Sequence, residues 1–413
     1  MNRIFFISLF TLMIVFLISF KDDKHHIPVE EDFKLAEQQY ARVIARNGNS
    51  KLFPKTTGPD QLLKSTGLKE WTSGFWPGNL WYIYEYTKKP NWKAEAEKWT
   101  NALKPNENNK TTHDLGFMMY CSYGNAYRLT GNKLYKEVLI QSAKSLSSRF
   151  NPTIGCIESW DSRESWDKKT FWDFPVIIDN MMNLELLFFA SKETKDPEYY
   201  NIAVKHAETT MKNHLRPDFS SYHVVDYNTA NGKVMARQTF QGFADNSTWS
   251  RGQAWGIYGF TMVYRETKDK RFLQTAKKMA DYYLNHSNLP ADMIPYWDFN
   301  VGQQGYTADW NYEPGKRDYK IRDASAAAIT SSALFELSRY SARKDSIRYL
   351  NAAKHMLNAL SSAQYKADLG TNNGLLLKHS VGSFPHNAEI DVPLIYADYY
   401  FLEALLRYRN LNK

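Results

Sequence analysis

Two kinds of hydrophobic segment follow one another in turn along the chain. Segments such as 176–190 and 324–337 are apolar or small on nearly every helical face, whereas those that follow them, such as 198–212, carry charge on one face. A helix that is apolar all round is buried on both sides, and an amphipathic one covers a core with a single face. Between the two kinds a short turn recurs, Thr-Lys or Thr-Gly with an aromatic residue five positions after the Thr. It is found at Thr87 to Trp92, Thr130 to Tyr135, Thr194 to Tyr199 and Thr267 to Phe272, with Lys344 to Tyr349 as a weaker fifth copy. Each reads as the turn of a helix hairpin. The spacing predicts twelve helices, at about 31–46, 75–88, 91–103, 112–130, 133–149, 175–192, 196–214, 247–267, 269–287, 323–341, 345–362 and 391–409. Six buried helices inside six amphipathic ones describe an all-α closed double ring, an (α/α)6 barrel or six-hairpin toroid. A linear solenoid would need polar capping repeats, and the last segment, Asp391-Val392-Pro393-Leu394-Ile395-Tyr396, is as apolar as the middle. The long connections 152–174, 215–246, 288–322 and 363–390 all precede inner helices, so they gather at one rim, where long loops on a rigid scaffold carry sites.

The first residues differ in kind. One basic residue, Arg3, precedes an almost wholly apolar run at 4–20, and Lys21-Asp22-Asp23-Lys24 restores polar sequence. This is an export signal. The run is just long enough to span a bilayer, and Ile18-Ser19-Phe20 lacks clean small residues for cleavage, so a cleaved signal and an inner-membrane anchor both stand. The segment holds no cysteine for lipidation. The passenger, one catalytic domain over 25–413, is expected outside the cytoplasm, in a periplasm.

Composition narrows the class. Hydrophobic residues at 43% and charged residues at 23% exclude a disordered or fibrous chain. The two cysteines, Cys121 and Cys156, cannot make a disulfide framework and read as small buried hydrophobes. No C-x-x-C, H-E-x-x-H, Walker or Rossmann string occurs, so no metal site and no cofactor is implied. Aromatic residues reach 15%, with 12 Trp and 27 Tyr, more ring surface than a core needs. Rings suit sugars, because a pyranose stacks its C–H face on them while its hydroxyls bond at the edge. The net charge of +8 is spread along the chain without a basic run. Nucleic acid is therefore not the partner. A diffuse positive field would steer an acidic oligosaccharide, or serve solubility alone.

Asp179 is the sharpest oddity, set in Pro175-Val176-Ile177-Ile178-Asp179-Asn180-Met181-Met182-Asn183-Leu184, where Pro175 suits a first helical turn and Asn183 shares the face of Asp179. A carboxyl among such neighbours has its pKa raised and can act as a general acid. The plain alternative is a buried Asp satisfied by amides. Asp114 opens another inner helix in His113-Asp114-Leu115-Gly116-Phe117, where it would also serve as a helix cap. Two such aspartates would face one ring mouth, and paired carboxyls are the usual equipment of glycosidic chemistry. Arg251 and Trp255 are four apart on one helix face, a guanidinium fork and an indole plate suited to a uronic acid, or else ring packing with a bridging Arg. Gly252, Gly256 and Gly259 imply close helix packing. His223 and Gln241 lie in the long loop before this helix.

The strings Trp76-Pro77-Gly78, His113-Asp114-Leu115-Gly116-Phe117, Ser159-Trp160-Asp161, Ile178-Asp179-Asn180-Met181-Met182-Asn183-Leu184, residues 245–259, Arg322-Asp323-Ala324-Ser325 and Ala397-Asp398-Tyr399-Tyr400 resemble unsaturated glucuronyl hydrolases, glycoside hydrolase family 88, from about residue 30 onward. The resemblance implies Asp179 as acid/base, Asp114 as second essential aspartate, and Trp76, Trp160, His223, Gln241, Arg251 and Trp255 as sugar-site residues. It implies a substrate made by polysaccharide lyases, an acidic oligosaccharide ending in a 4,5-unsaturated uronic acid, cleaved by hydration of the C4=C5 bond. The loop that reads sulfate in some members is Ser383-Phe384-Pro385-His386-Asn387 here, without that Ser and Lys pattern. An unsaturated rhamnogalacturonyl hydrolase and a helical glycan-binding protein stand as alternatives.

Overall fold

The computed structural model describes residues 27–411 except 49, 59, 166, 167, 309 and 311–318. The apolar run at 4–20 lies outside the described residues. Among them, no helix is long and apolar enough to cross a membrane.

The described residues contain twelve α-helices: α1 (Val29–Asn47), α2 (Phe75–Thr87), α3 (Pro90–Ala102), α4 (Asn125–Thr130), α5 (Lys133–Ser147), α6 (Leu184–Thr194), α7 (Pro197–Asn213), α8 (Ser250–Thr267), α9 (Lys270–Asn285), α10 (Ala324–Tyr340), α11 (Arg343–Leu360) and α12 (Ile395–Leu411). The even-numbered helices form the inner ring. Each packs on the next, except that α6 meets the stretch Gly116–Gly124 leading into α4, and α12 returns to α2, so the ring closes as an (α/α)6 barrel. Outer helices pair with inner ones through the recurring turns, whose chemistry the structure makes plain. Thr87, Thr130, Thr194 and Thr267 each donate their hydroxyl to the carbonyl four residues back and accept the N–H two residues on. The residue between, Lys88, Gly131, Lys195 or Lys268, takes a left-handed φ of 58 to 67°. That reverses the chain and ends the helix. The aromatic residue then anchors the outer helix, with Trp92, Tyr135 and Phe272 buried.

Two inner elements differ from the predicted helices. Residues 175–192 do not begin as a helix. Pro175–Ile177 is a strand, antiparallel to Val224–Tyr227, and a 3-10 turn, Ile178–Met182, leads into α6. The β-branched run Val176-Ile177-Ile178 suits a pleated surface, and Val176 joins Ile154, Cys156, Phe174, Val225 and Tyr227 in a small satellite core. Pro175 therefore starts a strand, and Asp179 sits on a short turn. Likewise 112–130 contains a π-helical stretch, Gly116–Gly124, before α4. Such stretches cluster at functional sites.

Close packing explains the glycines: a Cβ on Gly259 would lie 2.5 Å from Cβ of Met181. Cys121 and Cys156 are both buried and free.

A cavity of about 490 Å³ opens where the inner helices end. Its carboxylates are already engaged. Glu403 accepts from Tyr82, Tyr258 and Ser332, and Arg265 joins Glu185 to Glu336. It holds neither Asp114 nor Asp179.

Candidate active site

The chemistry gathers at the other mouth, where the inner elements begin. Asp179 is buried, and its Oδ2 has no hydrogen-bond partner. Burial pushes its pKa from 3.8 to about 7, the Arg251 guanidinium pulls it down, and the Asp114 charge adds to the rise. A second buried aspartate, Asp398, is also pushed by burial to about 7. Its oxygens accept from Leu376 N, Leu377 N and the Tyr40 hydroxyl at 2.8, 2.9 and 3.0 Å. Asp398 thus ties a loop to the barrel, whereas Asp179 keeps an oxygen in hand. An unsatisfied buried polar atom is costly, and a catalytic role is a reason to keep one.

His223 lies against Asp179, with Nε2 3.7 Å from Oδ2. Its Nδ1 accepts two backbone N–H groups, from Phe240 and Gln241, both at 3.1 Å. Burial holds the ring's pKa well below its usual value, so it is neutral. With Nδ1 accepting, the proton is on Nε2, the nitrogen nearer Asp179.

Asp114 is half-buried and held at both oxygens. Thr112 donates its hydroxyl to Oδ2 at 2.7 Å, and His113 Nε2 lies 3.2 Å from Oδ1. His113, buried and neutral through desolvation, is itself set by Ser159. Ser159 Oγ accepts Ile177 N–H at 3.0 Å, which leaves its own hydrogen for His113 Nδ1 at 3.4 Å. The two aspartate segments are joined by Asn183, whose Oδ1 accepts Phe117 N–H at 3.0 Å. Only a glycine at 116 permits this, because a Cβ there would lie 2.4 Å from Asn183 Cα. Asn183 does share the site of Asp179, as a clamp between neighbouring inner elements.

The aromatic and basic residues divide differently from the expectation. Trp255 is fully buried, with its ring against Phe117 and Tyr400. It offers no open stacking face. Arg251 is also buried: Nη1 pairs with Asp323 at 3.0 Å and also donates to Val381 O, and Nη2 donates to Gly382 O at 2.6 Å. The fork clamps the strand Ser380–Ser383 to the ring and supplies positive charge near Asp179. Gln241 Nε2 donates to the same Gly382 carbonyl at 2.8 Å. Trp160 is half-buried against Trp172 and Phe240, next to Ser159. Trp76 is not part of the group. It points outward, stacked on Tyr40 of α1 and edge-on to Trp99 of α3. From its neighbourhood Trp71 reaches Phe117 and Tyr396 instead.

Several residues escaped sequence reasoning. Trp249 lies between His223, at 4.4 Å, and the Arg251 guanidinium, at 4.5 Å. It stands inside the Ser-Thr-Trp-Ser-Arg string, so its neighbours were the available signal. Asp298, fully buried, gathers Phe243 N, Ser247 Oγ and Asn300 N. No periodicity marks a residue whose partners lie on its own loop and on the loop before α8.

The chain is similar to known proteins across nearly its whole length. The model of Glycosyl Hydrolase Family 88 matches residues 49–368. An "Unsaturated glucuronyl hydrolase" of Formosa agariphila is 44% identical over 393 residues, 95% of this chain and 93% of that one. An "Unsaturated chondroitin disaccharide hydrolase" of Streptococcus pneumoniae is 33% identical over 87% of each chain. A crystal structure of an unsaturated glucuronyl hydrolase specific for heparin matches with a TM-score of 0.85 and 47% identity, covering 93% of this chain and 97% of that one. With its closed ring of six helix hairpins, its paired aspartates at one mouth and these likenesses, the chain belongs to glycoside hydrolase family 88.

Proposed function

We propose that this enzyme releases a 4,5-unsaturated uronic acid from the non-reducing end of lyase-made acidic oligosaccharides, glycosaminoglycan fragments in the first place. The observation that carries the reading is Asp179, a buried carboxyl raised to about 7, with one oxygen unpartnered. A group that titrates near neutrality can give a proton and take one back. Protonated Asp179 delivers its proton to C4, and the positive charge that develops at C5 is shared with the ring oxygen. Water adds at C5 and loses its proton to the Asp179 carboxylate, restoring the acid. The hemiketal opens to a keto sugar and the leaving sugar departs, with one water consumed and no attack at C1. His223, with its Nε2–H set by two backbone donors, and Asp114, set by Thr112 and His113, hold the ring and the carboxyl in register.

The purified protein is expected to abolish the ultraviolet absorbance of unsaturated uronyl disaccharides and to leave saturated analogues intact. Equal turnover of saturated glucuronides would remove the hydration mechanism.

We also infer export, from the apolar run at 4–20. Native protein should fractionate with periplasm or inner membrane, and deletion of residues 1–20 should give a soluble active enzyme. Recovery of the native protein wholly in cytosol would contradict this.

A further inference from the structure

A patch beside the site remains unexplained by the chemistry above. Trp160 follows Ser159, the residue that sets His113 and through it Asp114. Phe240 donates its N–H to His223, which faces Asp179. The two rings meet at 5.6 Å, with Trp172 behind them and His386 on Phe240 at 4.3 Å. They form an aromatic wall that reaches from the Asp114 side of the mouth to the Asp179 side.

Over this wall lies Arg163. Its guanidinium carbon is 5.0 Å from the Trp160 ring, 5.3 Å from Phe240 and 6.0 Å from Trp172. It comes from the short strand Arg163–Glu164, paired with Phe171–Trp172. Of the other arginines, Arg149 is met by Glu158 and Asp161, Arg251 by Asp323 and Arg265 by Glu185 and Glu336, while Arg216, on the Tyr222 ring, spends its guanidinium on the carbonyls of Ser221, Asp245 and Ser247. Arg163 has no carboxylate partner among the described residues, and partial burial lowers its pKa. A guanidinium resting its face on rings keeps its N–H edge free to fork onto an oxyanion.

We propose that Arg163 reads a sulfate ester on the leaving sugar, the one attached to the unsaturated uronic acid, which lies along the Trp160 and Phe240 wall. A sulfate keeps its charge at every working pH and presents coplanar oxygen pairs to such a fork. The ring wall supplies the stacking face and Arg163 the charge, so the pair selects sulfated over unsulfated leaving sugars. This inference rests on the reaction proposed above.

The test uses pairs of unsaturated uronyl-hexosamine disaccharides that differ only by one sulfate on the hexosamine, with the sulfate at each ring position in turn. For at least one position, the wild type should favour the sulfated member in kcat/KM. In Arg163→Ala that preference should fall about tenfold or more, through KM more than kcat, and Arg163→Lys should restore part of it. Melting curves confirm that each variant is folded. A wild type with no preference for sulfate at any position, or variants that lose both members of a pair equally, would overturn the assignment while leaving the hydrolase reading intact. A wild type inactive on every unsaturated disaccharide would overturn both.

Discussion

Asp179→Asn is expected to stay folded and to lose turnover by about 10²–10⁴-fold, the usual contribution of a general acid and base. An amide cannot release the proton to C4 or accept one from water. Wild-type activity should fall as pH rises through about 7, because the working form is the protonated carboxyl. The same shift sets a stability signature. The folded carboxyl holds its proton up to about 7, whereas an unfolded one releases it near 3.8. The native state therefore binds more protons between about 4 and 7, and this group's contribution to stability declines as pH rises through that window. Asn removes the buried charge, so the variant should gain on the wild type in melting temperature between pH 4 and pH 8. Turnover against pH and thermal melts check both statements. A folded Asp179→Asn enzyme within a factor of about ten of wild type would refute the role, since that loss is too small for a missing general acid.

Asp114→Asn is expected to cost about 10²-fold in kcat/KM by misplacing the sugar against Asp179. It should also move the pH profile in a known direction. The Asp114 charge helps hold the Asp179 proton, so its removal lowers the Asp179 pKa and shifts the alkaline limb of activity toward lower pH. A limb that stays in place, or moves up, would show that the two carboxyls do not communicate. Because Thr112 and His113 hold the Asp114 oxygens, Asp114→Ala should lose more than Asn, which keeps an acceptor for one of the two.

The twelve helices were legible because burial imposes a period. All-round apolar segments can only line the inside of a double ring, and a Thr hydroxyl that caps a turn must sit at the same place in each of the four hairpins that carry it. Asp179 was legible for a related reason, a carboxyl in a run of Ile, Met and Leu being a conflict that local sequence cannot resolve. Its turn was not. Val176-Ile177-Ile178 reads equally as the start of a buried helix or as a strand, and the choice falls to a strand partner, Val224–Tyr227, some fifty residues on.

The roles of the aromatic and basic residues depended still more on distant partners. Arg251 and Trp255 share a helix face, as their spacing requires, but whether a guanidinium faces a sugar or a carbonyl is decided by what stands opposite. Here Asp323, Val381 and Gly382 stand opposite Arg251, brought from the start of α10 and a strand near the end of the chain. Trp76 and Trp71 differ in sequence by little, yet one faces α1 and α3 while the other faces the mouth. By itself the sequence determined the ring of hairpins, the mouth at which loops gather and the aspartate whose burial raises its pKa, because each follows from local period or from a local clash of polarity. The tertiary structure alone decided which oxygen is left unpartnered, which nitrogen of His223 carries the proton and which arginine lies on an aromatic wall with no carboxylate partner among the described residues, because hydrogen bonds and charge pairs are settled by neighbours that only the closed ring brings together.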